Sequence, residues 1–275
     1  MPGLSPEAVN FYEEHGYYAP IRVLSPQQAA GLHAKLEAYE AGQATVDGAL
    51  RNKSHLLFTW LDELIRNDNI LDAVESVLGP NILCWGSSFF IKEAHSPAFV
   101  SWHQDSTYWG LEPADIVTAW VAISESVLEN GAMRVIPGTH KKAQLAHHDT
   151  FGDNNLLSRG QEIAVEVNES DAKSLVLQPG EMSLHHVRLV HGSEPNPSGR
   201  RRIGFAIRYL PTNVRQTAGM TDAATLVRGI DAFGHFLPER RPDSDASPSA
   251  VAHHAEITGA TKTILMRGVQ KSPAM

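Results

Sequence analysis

The sequence predicts a mainly β fold with α additions. A helical N-terminal part over about residues 1–80, an antiparallel jelly-roll core over about 81–211 and a loop and helix over 212–275 would form one domain. Three observations carry this expectation. Helix start and stop signals cluster before residue 80; from Ile82 onward, short β-branched and aromatic segments are divided by Gly, Pro, Asn or Asp; and no helical pattern alternates among those segments. Many short strands in succession favour a sandwich or barrel over a parallel sheet, which needs helical crossovers between its strands. A chain of 275 residues is within the range of one such unit, and no internal repeat or long low-complexity linker divides it.

The helices come first. Ser5 and Pro6 open a short helix through about Tyr12. In LSPQQAAGLHAKLEAYEAG, Ser25 is placed to cap, Pro26 takes the first helical position and Gly42 follows the end. The stretch NDNILDAVESVLGP gives a third helix, ended by Gly79 and Pro80. Strands follow in ILCWGSSFFIKEA, IVTAWVAISES, RVIPGTH, EIAVEV, SLVLQPGEMSLHHVRLVHGS and RRIGFAIRYLP. After Thr212 the pattern fades into a loop, and SPSAVAHHAEITGATKTILMRG predicts a closing helix.

Composition narrows the function. A hydrophobic content of 42% with 20% charged residues suits a globular protein, and no apolar run reaches the length of a membrane span. The formal charge of -8 disfavours nucleic acid, whose binding draws on basic patches. Arginines nonetheless crowd the C-terminal third (Arg200, Arg201, Arg202, Arg208, Arg215, Arg228, Arg240 and Arg241), so a local anion site is compatible with an acidic surface. The start, MPGLSPEAVNFYEEHG, lacks a basic-then-apolar signal, and the single Cys84 suits a reducing compartment; the expected location is cytoplasmic. The expected partner is a small-molecule substrate, with neither membrane nor nucleic acid; oligomeric state stays open, a homodimer being one option.

The chemistry starts at WHQDSTYWG, residues 102–110. In an extended strand, His103 and Asp105 point to one face while Gln104 faces away, an arrangement that suits two ligands of one metal ion or a His and Asp that satisfy each other. A mononuclear iron site of two histidines and a carboxylate needs one more ligand. His185, His186 and His191 in LHHVRLVHGSEPNPSGRRR are the candidates, and spacing alone does not choose among them.

The residues after His191 do discriminate. HGSEPNPSGRRR resembles the H-x-S-x-x-N-x-S-x-x-x-R signature of the phytanoyl-CoA dioxygenase family, matching at His191, Ser193, Asn196, Ser198 and Arg202. The upstream WHQD and the intervening NGAMRVIPGTH fit the same family, so the resemblance covers roughly residues 80–211. It implies a double-stranded β-helix (cupin-like) core and a hydroxylase dependent on Fe(II), 2-oxoglutarate and O2. By the same resemblance His103, Asp105 and His191 hold Fe(II), and Arg202 pairs with the distal carboxylate of 2-oxoglutarate. Arg200 and Arg201 compete for that role, because strand register is not fixed by the sequence. Trp120 matches a tryptophan lining the cosubstrate pocket or is a core aromatic; Ser193 donates to the cosubstrate or caps a turn. Halogenating members replace the carboxylate by Ala or Gly, so Asp105 implies hydroxylation.

Substrate residues are less marked. Tyr108 and Trp109 follow the carboxylate and would line the mouth above the metal, or pack. Arg134, Arg188 and Arg208 or Arg215 would hold an anionic group. The family spans acyl-CoA, amino acids, zwitterions, phosphonates and natural-product scaffolds; no basic cluster suits a CoA tail, so a small polar or zwitterionic metabolite is expected. An acyl-CoA or natural-product hydroxylase, a zinc hydrolase on the same ligands and a non-catalytic jelly-roll binding protein are the alternatives.

Overall fold

A computed structural model describes residues 3–42, 50–150, 154–157, 160–164 and 167–266. The N-terminal part holds α1 (Pro6–His15), β1 (Tyr17–Arg22), α2 (Pro26–Ala41), α3 (Thr59–Ile65) and α4 (Asp68–Leu78). Then come β2 (Ile82–Lys92), β3 (Val100–His103), β4 (Leu111–Glu112), β5 (Val117–Ala122), β6 (Arg134–Val135), β7 (His147–Asp149), β8 (Gln161–Ile163) and β9 (Lys173–Ser174). They are followed by β10 (Glu181–His186), β11 (His191–Ser193), β12 (Arg202–Pro211), β13 (Arg215–Gln216), β14 (Ala223–Arg228), β15 (Leu237–Pro238) and α5 (Pro248–Leu265).

Caps explain the helix starts. Ser5 Oγ accepts from Ala8 N at 3.3 Å, and Ser25 and Gln28 form a reciprocal capping box over 3.1 and 2.8 Å. Asn67 Oδ1 accepts from Asn69 N at 3.0 Å to start α4.

Two sheets make the jelly-roll core. One has seven strands in the order β1-β10-β5-β12-β2-β14-β15, antiparallel except at its β14–β15 edge, and the other has four in the order β3-β11-β6-β9. Residue alternation assigns the faces of the larger sheet. Val117, Ala119 and Val121 of β5, Met182 and Leu184 of β10, and Ile203, Phe205, Ile207 and Tyr209 of β12 all join one buried core with Leu36, Leu61, Ile65, Ile70 and Val74 from the helices. The helices therefore cover the outer face, and Tyr209 Oη donates to Ile65 O at 2.8 Å across that junction. The intervening residues, Thr118 and Trp120, His185, and Arg202, Ala206 and Arg208, line a cavity closed from the other side by Val100, His103, Met133 and His191.

Three features depart from the sequence reading. The N-terminal part is not wholly helical: β1 pairs with β10 at the sheet edge, where Pro20, lacking an N–H, is tolerated. The segment after Thr212 is more than loop and helix, because β14 pairs with β2 and extends the large sheet past residue 211. Of EIAVEV only the start is a strand, in β8; Val165 and Glu166 lie outside the described residues.

The C-terminal segment is fastened by a buried network. Lys53 Nζ donates to Glu239 Oε1 at 2.6 Å and to Ala223 O at 2.9 Å, Thr225 Oγ1 donates to Glu239 Oε2 at 2.6 Å, and His55 lies between Glu239 (3.2 Å) and Ser87 (2.8 Å). Burial pushes the Glu239 carboxyl up, but Lys53 and His55 outweigh it and bring it down to about 2.

Candidate functional site

His103 is the last residue of β3. Gln104 stays extended (φ -113°, ψ 133°), and Asp105 then starts a short turn, so the alternation survives one residue past the strand and returns Asp105 to the side of His103. Gln104 faces away, donating from Nε2 to Arg188 O at 2.7 Å and accepting from Leu145 N at 2.8 Å. His191 sits directly opposite His103 in the β11–β3 pair. One ligand atom from each of His103, Asp105 and His191 lies within 4.8 Å of the others.

Both imidazoles are aimed by the backbone. His103 Nδ1 lies 2.9 Å from Ser101 O, and His191 Nδ1 lies 2.9 Å from Leu189 O. A carbonyl only accepts, so each Nδ1 carries a hydrogen and each Nε2 is turned into the site, the orientation that metal-ligating histidines adopt. His103 Nε2 is 3.3 Å from Asp105 Oδ1. Burial pushes the Asp105 carboxyl up, but the His103 hydrogen bond and the neighbouring His191, His103 and Arg208 outweigh it and hold the group ionised well below the usual range. Burial lowers His191 well below the ordinary imidazole value, so it stays neutral and able to ligate. Two histidines whose Nε2 atoms face the site and an ionised carboxylate form the donor set of a mononuclear non-haem Fe(II) site, and the residues fit that metal.

Arginine register follows from the same alternation. Arg202 lies on the cavity face of β12, buried, with Nη1 donating to Gly131 O and its Cζ 5.4 Å from the Trp120 ring centre. Arg201 points the other way and forks onto Glu40 (2.7 and 2.7 Å), while Arg200 pairs with Glu125 near the surface. Burial brings the Arg202 guanidinium down to about 10, still charged at neutral pH. Trp120 reaches the cavity because Gly204 leaves space: a Cβ there would lie 1.8 Å from Trp120 Cζ2.

A family model for phytanoyl-CoA dioxygenase matches residues 12–204. The chain belongs to the phytanoyl-CoA dioxygenase family. Among curated relatives it is 35% identical over 159 residues to a Stutzerimonas stutzeri protein named "Probable alpha-ketoglutarate-dependent hypophosphite dioxygenase", covering 56% of this chain and 54% of that one. The chain thus spans about half the length of that relative. The solved structure of the non-heme monooxygenase ThoJ in its apo form superposes with a TM-score of 0.86 at 33% identity, covering 96% of this chain and 100% of ThoJ. CytC3 with Fe(II) and alpha-ketoglutarate superposes with a TM-score of 0.68 at 26% identity, over 89% and 96% of the two chains.

The phytanoyl-CoA dioxygenase motifs have structural work here. Asn130 accepts from Val127 N at 2.8 Å and donates to Glu125 O at 2.9 Å, holding the turn into Gly131 (φ 76°), whose carbonyl receives Arg202. Asn196 donates to Glu93 O at 2.8 Å and to Arg200 O at 2.7 Å, and accepts from Ser198 Oγ at 2.8 Å, which turns the chain from His191 back toward Arg202. Ser193 Oγ lines the cavity and accepts from Lys92 Nζ at 2.7 Å.

Other expected residues are placed elsewhere. Arg134 lies outside the cavity, paired with Glu169 at 2.9 Å and Glu194 at 3.3 Å, because its position on β6 points away from the inner face. Trp109 is packed with Trp85 at a ring distance of 4.9 Å, and Tyr108 donates to Asp149 at 2.7 Å; neither lines the cavity. Arg188 and Arg215 line a separate open groove with His186. The cavity also holds residues that sequence reasoning did not single out for it: Thr118 and Phe90, with His185 and Arg208 in positions it left open. Behind the lining, Lys92 on β2 pairs in register with Arg202, and burial, with Arg202 beside it, lowers its ammonium to about 6. The signal was available in RIGFAIRYL, where bulky apolar residues at 203, 205, 207 and 209 leave 202 and 208 on the opposite face.

Proposed function

We propose that this chain is an Fe(II)/2-oxoglutarate-dependent oxygenase that hydroxylates a C–H bond of a small polar or zwitterionic metabolite. The observation that carries the reading is a convergence: two histidines with inward-facing Nε2 atoms and one ionised carboxylate meet in a cavity that also holds a buried arginine on the motif position, without a carboxylate partner among the described residues. His103, Asp105 and His191 would hold the metal. When bound, Fe(II) with 2-oxoglutarate and O2 supplies oxidative decarboxylation to succinate and CO2, with one oxygen atom delivered to the substrate.

The chain's own residues do the positioning. Arg202 offers two parallel donors to the distal carboxylate of 2-oxoglutarate, and a guanidinium stays charged in an enclosed site where an ammonium would not. Trp120 covers that guanidinium and keeps water from it. Ser193, held by Lys92, adds a hydroxyl at the same end. Ser101 and Leu189 carbonyls keep both imidazoles in their ligating tautomer. Arg202 also favours this reading over a zinc hydrolase, which has no use for a buried anion anchor beside its ligands.

A small substrate is supported by the fate of the surface arginines. Arg22, Arg134, Arg200, Arg201, Arg228 and Arg241 are each paired with carboxylates, which leaves no continuous basic track for a CoA tail among them. The Stutzerimonas relative is named for a small oxyanion, in the same direction. A cytoplasmic setting goes with Cys84, the chain's one cysteine, buried and pushed up in pKa by that burial. The test is a panel of small amino acids, zwitterions, phosphonates and acyl-CoA thioesters with Fe(II) and 2-oxoglutarate, read as succinate coupled to a product one oxygen heavier. Coupled turnover only with acyl-CoA overturns the substrate class; a chlorinated product overturns hydroxylation.

A further inference from the structure

The large sheet presents a polar row at the level of the ligand trio. Arg208 on β12 pairs in register with Thr118 on β5, and Thr118 pairs with His185 on β10, so three side chains of adjacent strands point into the cavity side by side. Thr118 Oγ1 lies 3.5 Å from Asp105 Oδ2, and His185 Nε2 lies 4.0 Å from the same oxygen. The row therefore borders the place where a substrate beside the metal would sit.

Its hydrogen-bonding capacity is largely unused. Arg208 Nη1 donates to Ser88 Oγ and to Ala206 O at 3.4 Å, but Nε has no partner, and among the described residues the guanidinium forms no ion pair. His185 Nδ1 is also buried without a partner. The ring centres of Phe90 and Trp109 lie 5.6 and 5.9 Å from Cζ of the guanidinium. An arginine that lines a cavity beside two aromatic rings, with its buried Nε unpartnered and no ion pair among the described residues, is suited to receive an oxyanion.

Counting charges decides which anion. Arg202 and Arg208 are six residues apart on one strand face, about 20 Å between Cα atoms at ~3.3 Å per residue, and both line the cavity that holds His103, Asp105 and His191. A dicarboxylate whose keto-acid end sits at the trio has one remaining carboxylate and can neutralise one arginine. The other is left for a second anion.

We propose that Arg208, with Thr118 and His185, is the subsite for the anionic head group of the primary substrate, a carboxylate or phosphonate borne by a compact molecule. This rests on the oxygenase reading above, in which Arg202 takes 2-oxoglutarate. The cavity-facing row specifies charge and places the head group beside the metal; the carbon to be oxidised would then lie a bond or two from it.

Calorimetry tests this without turnover. Protein saturated with Ni(II) and 2-oxoglutarate is titrated with glycine, acetate and methylphosphonate, and with choline as a cationic control; 2-oxoglutarate is titrated separately into the Ni(II) protein. Wild type is expected to bind at least one of the anions and not choline. Arg208→Gln is expected to weaken that anion about 30-fold or more while 2-oxoglutarate affinity stays within threefold, and Arg202→Gln is expected to weaken 2-oxoglutarate instead. Which of the anions binds separates the carboxylate from the phosphonate source. The proposal is overturned if Arg208→Gln leaves anion binding intact, if it weakens 2-oxoglutarate as Arg202→Gln does, or if wild type binds choline and no anion. Should Arg208→Gln fail to fold by circular dichroism, Arg208→Met, also uncharged, carries the same readings. Failure of the oxygenase reading shows elsewhere, as wild-type protein with Fe(II) that forms no succinate from 2-oxoglutarate with any substrate.

Discussion

The Nδ1 atoms of His103 and His191 are each spent on a carbonyl two residues back, which leaves Nε2 for a metal. His185 has no such anchor, and it stands at 4.0 Å from Asp105. His191→Ala is therefore expected to lose Fe(II) affinity by more than the ~10–100-fold that removing even an outer partner costs, and His185→Ala to keep affinity within that range. A competition titration with a metal indicator reads both; the reverse order would move the third ligand to His185. Arg202→Ala is expected to cost about 2–5 kcal/mol of 2-oxoglutarate binding, with metal affinity unchanged in the same titration. Gly204→Ala would drive a methyl into Trp120, whose Cζ2 would be 1.8 Å away, and is expected to destabilise the fold by about 1–3 kcal/mol. A urea midpoint equal to wild type would contradict that packing. At this scale the sequence was informative wherever a residue type is rare for its role. His103, Asp105 and His191 stood out by spacing and motif, whereas Thr118 and Lys92 are ordinary strand residues whose place depends on which strands become neighbours.

Single strands carry two faces with different chemistry. On β12, Ile203, Phe205, Ile207 and Tyr209 pack against the helices, so the alternate positions are obliged to face the cavity, and Gly204 and Ala206 keep it open. Helices read cleanly because capping is local: Ser5, Ser25 and Asn67 each bond within three residues. Strands β1 and β14 were illegible for the opposite reason. Each is short, flanked by helix or loop, and becomes a strand through a partner more than a hundred residues away, β10 for one and β2 for the other. The segment after β14 is tied to the core by Glu239, whose side chain is fully enclosed with Lys53 and His55. A carboxyl lowered from 4.5 to about 2 stabilises the fold fully above the unfolded value and loses that contribution as pH falls from about 4.5 toward 2. The shift corresponds to about 3 kcal/mol. Denaturant midpoints of wild type are expected to fall more steeply between pH 5 and 3, round numbers bracketing the start of this window, than those of Glu239→Gln; parallel slopes would remove Glu239 from the acid response.

Across the whole molecule, the helices seal the outer face of the large sheet, while the inner face sets Arg202, Arg208, Thr118 and His185 among apolar residues, opposite His103 and His191 of the second sheet. Among the described residues, Arg22, Arg66, Arg134, Arg200, Arg201, Arg228 and Arg241 pair with carboxylates while Arg202 and Arg208 line the cavity without an ion pair, so the net charge of -8 coexists with guanidinium groups in the interior. No described helix is long and apolar enough to cross a membrane. The central claim is that this interior binds Fe(II) through His103, Asp105 and His191 and 2-oxoglutarate through Arg202. Its most direct test is an anaerobic titration of the Fe(II) protein with 2-oxoglutarate, followed by the visible charge-transfer absorption of a chelated keto acid. The account predicts a band that saturates at one equivalent in wild type, needs far more 2-oxoglutarate in Arg202→Gln and is absent in His191→Ala. A band that persists at full strength in His191→Ala, or none in iron-loaded wild type, would contradict it.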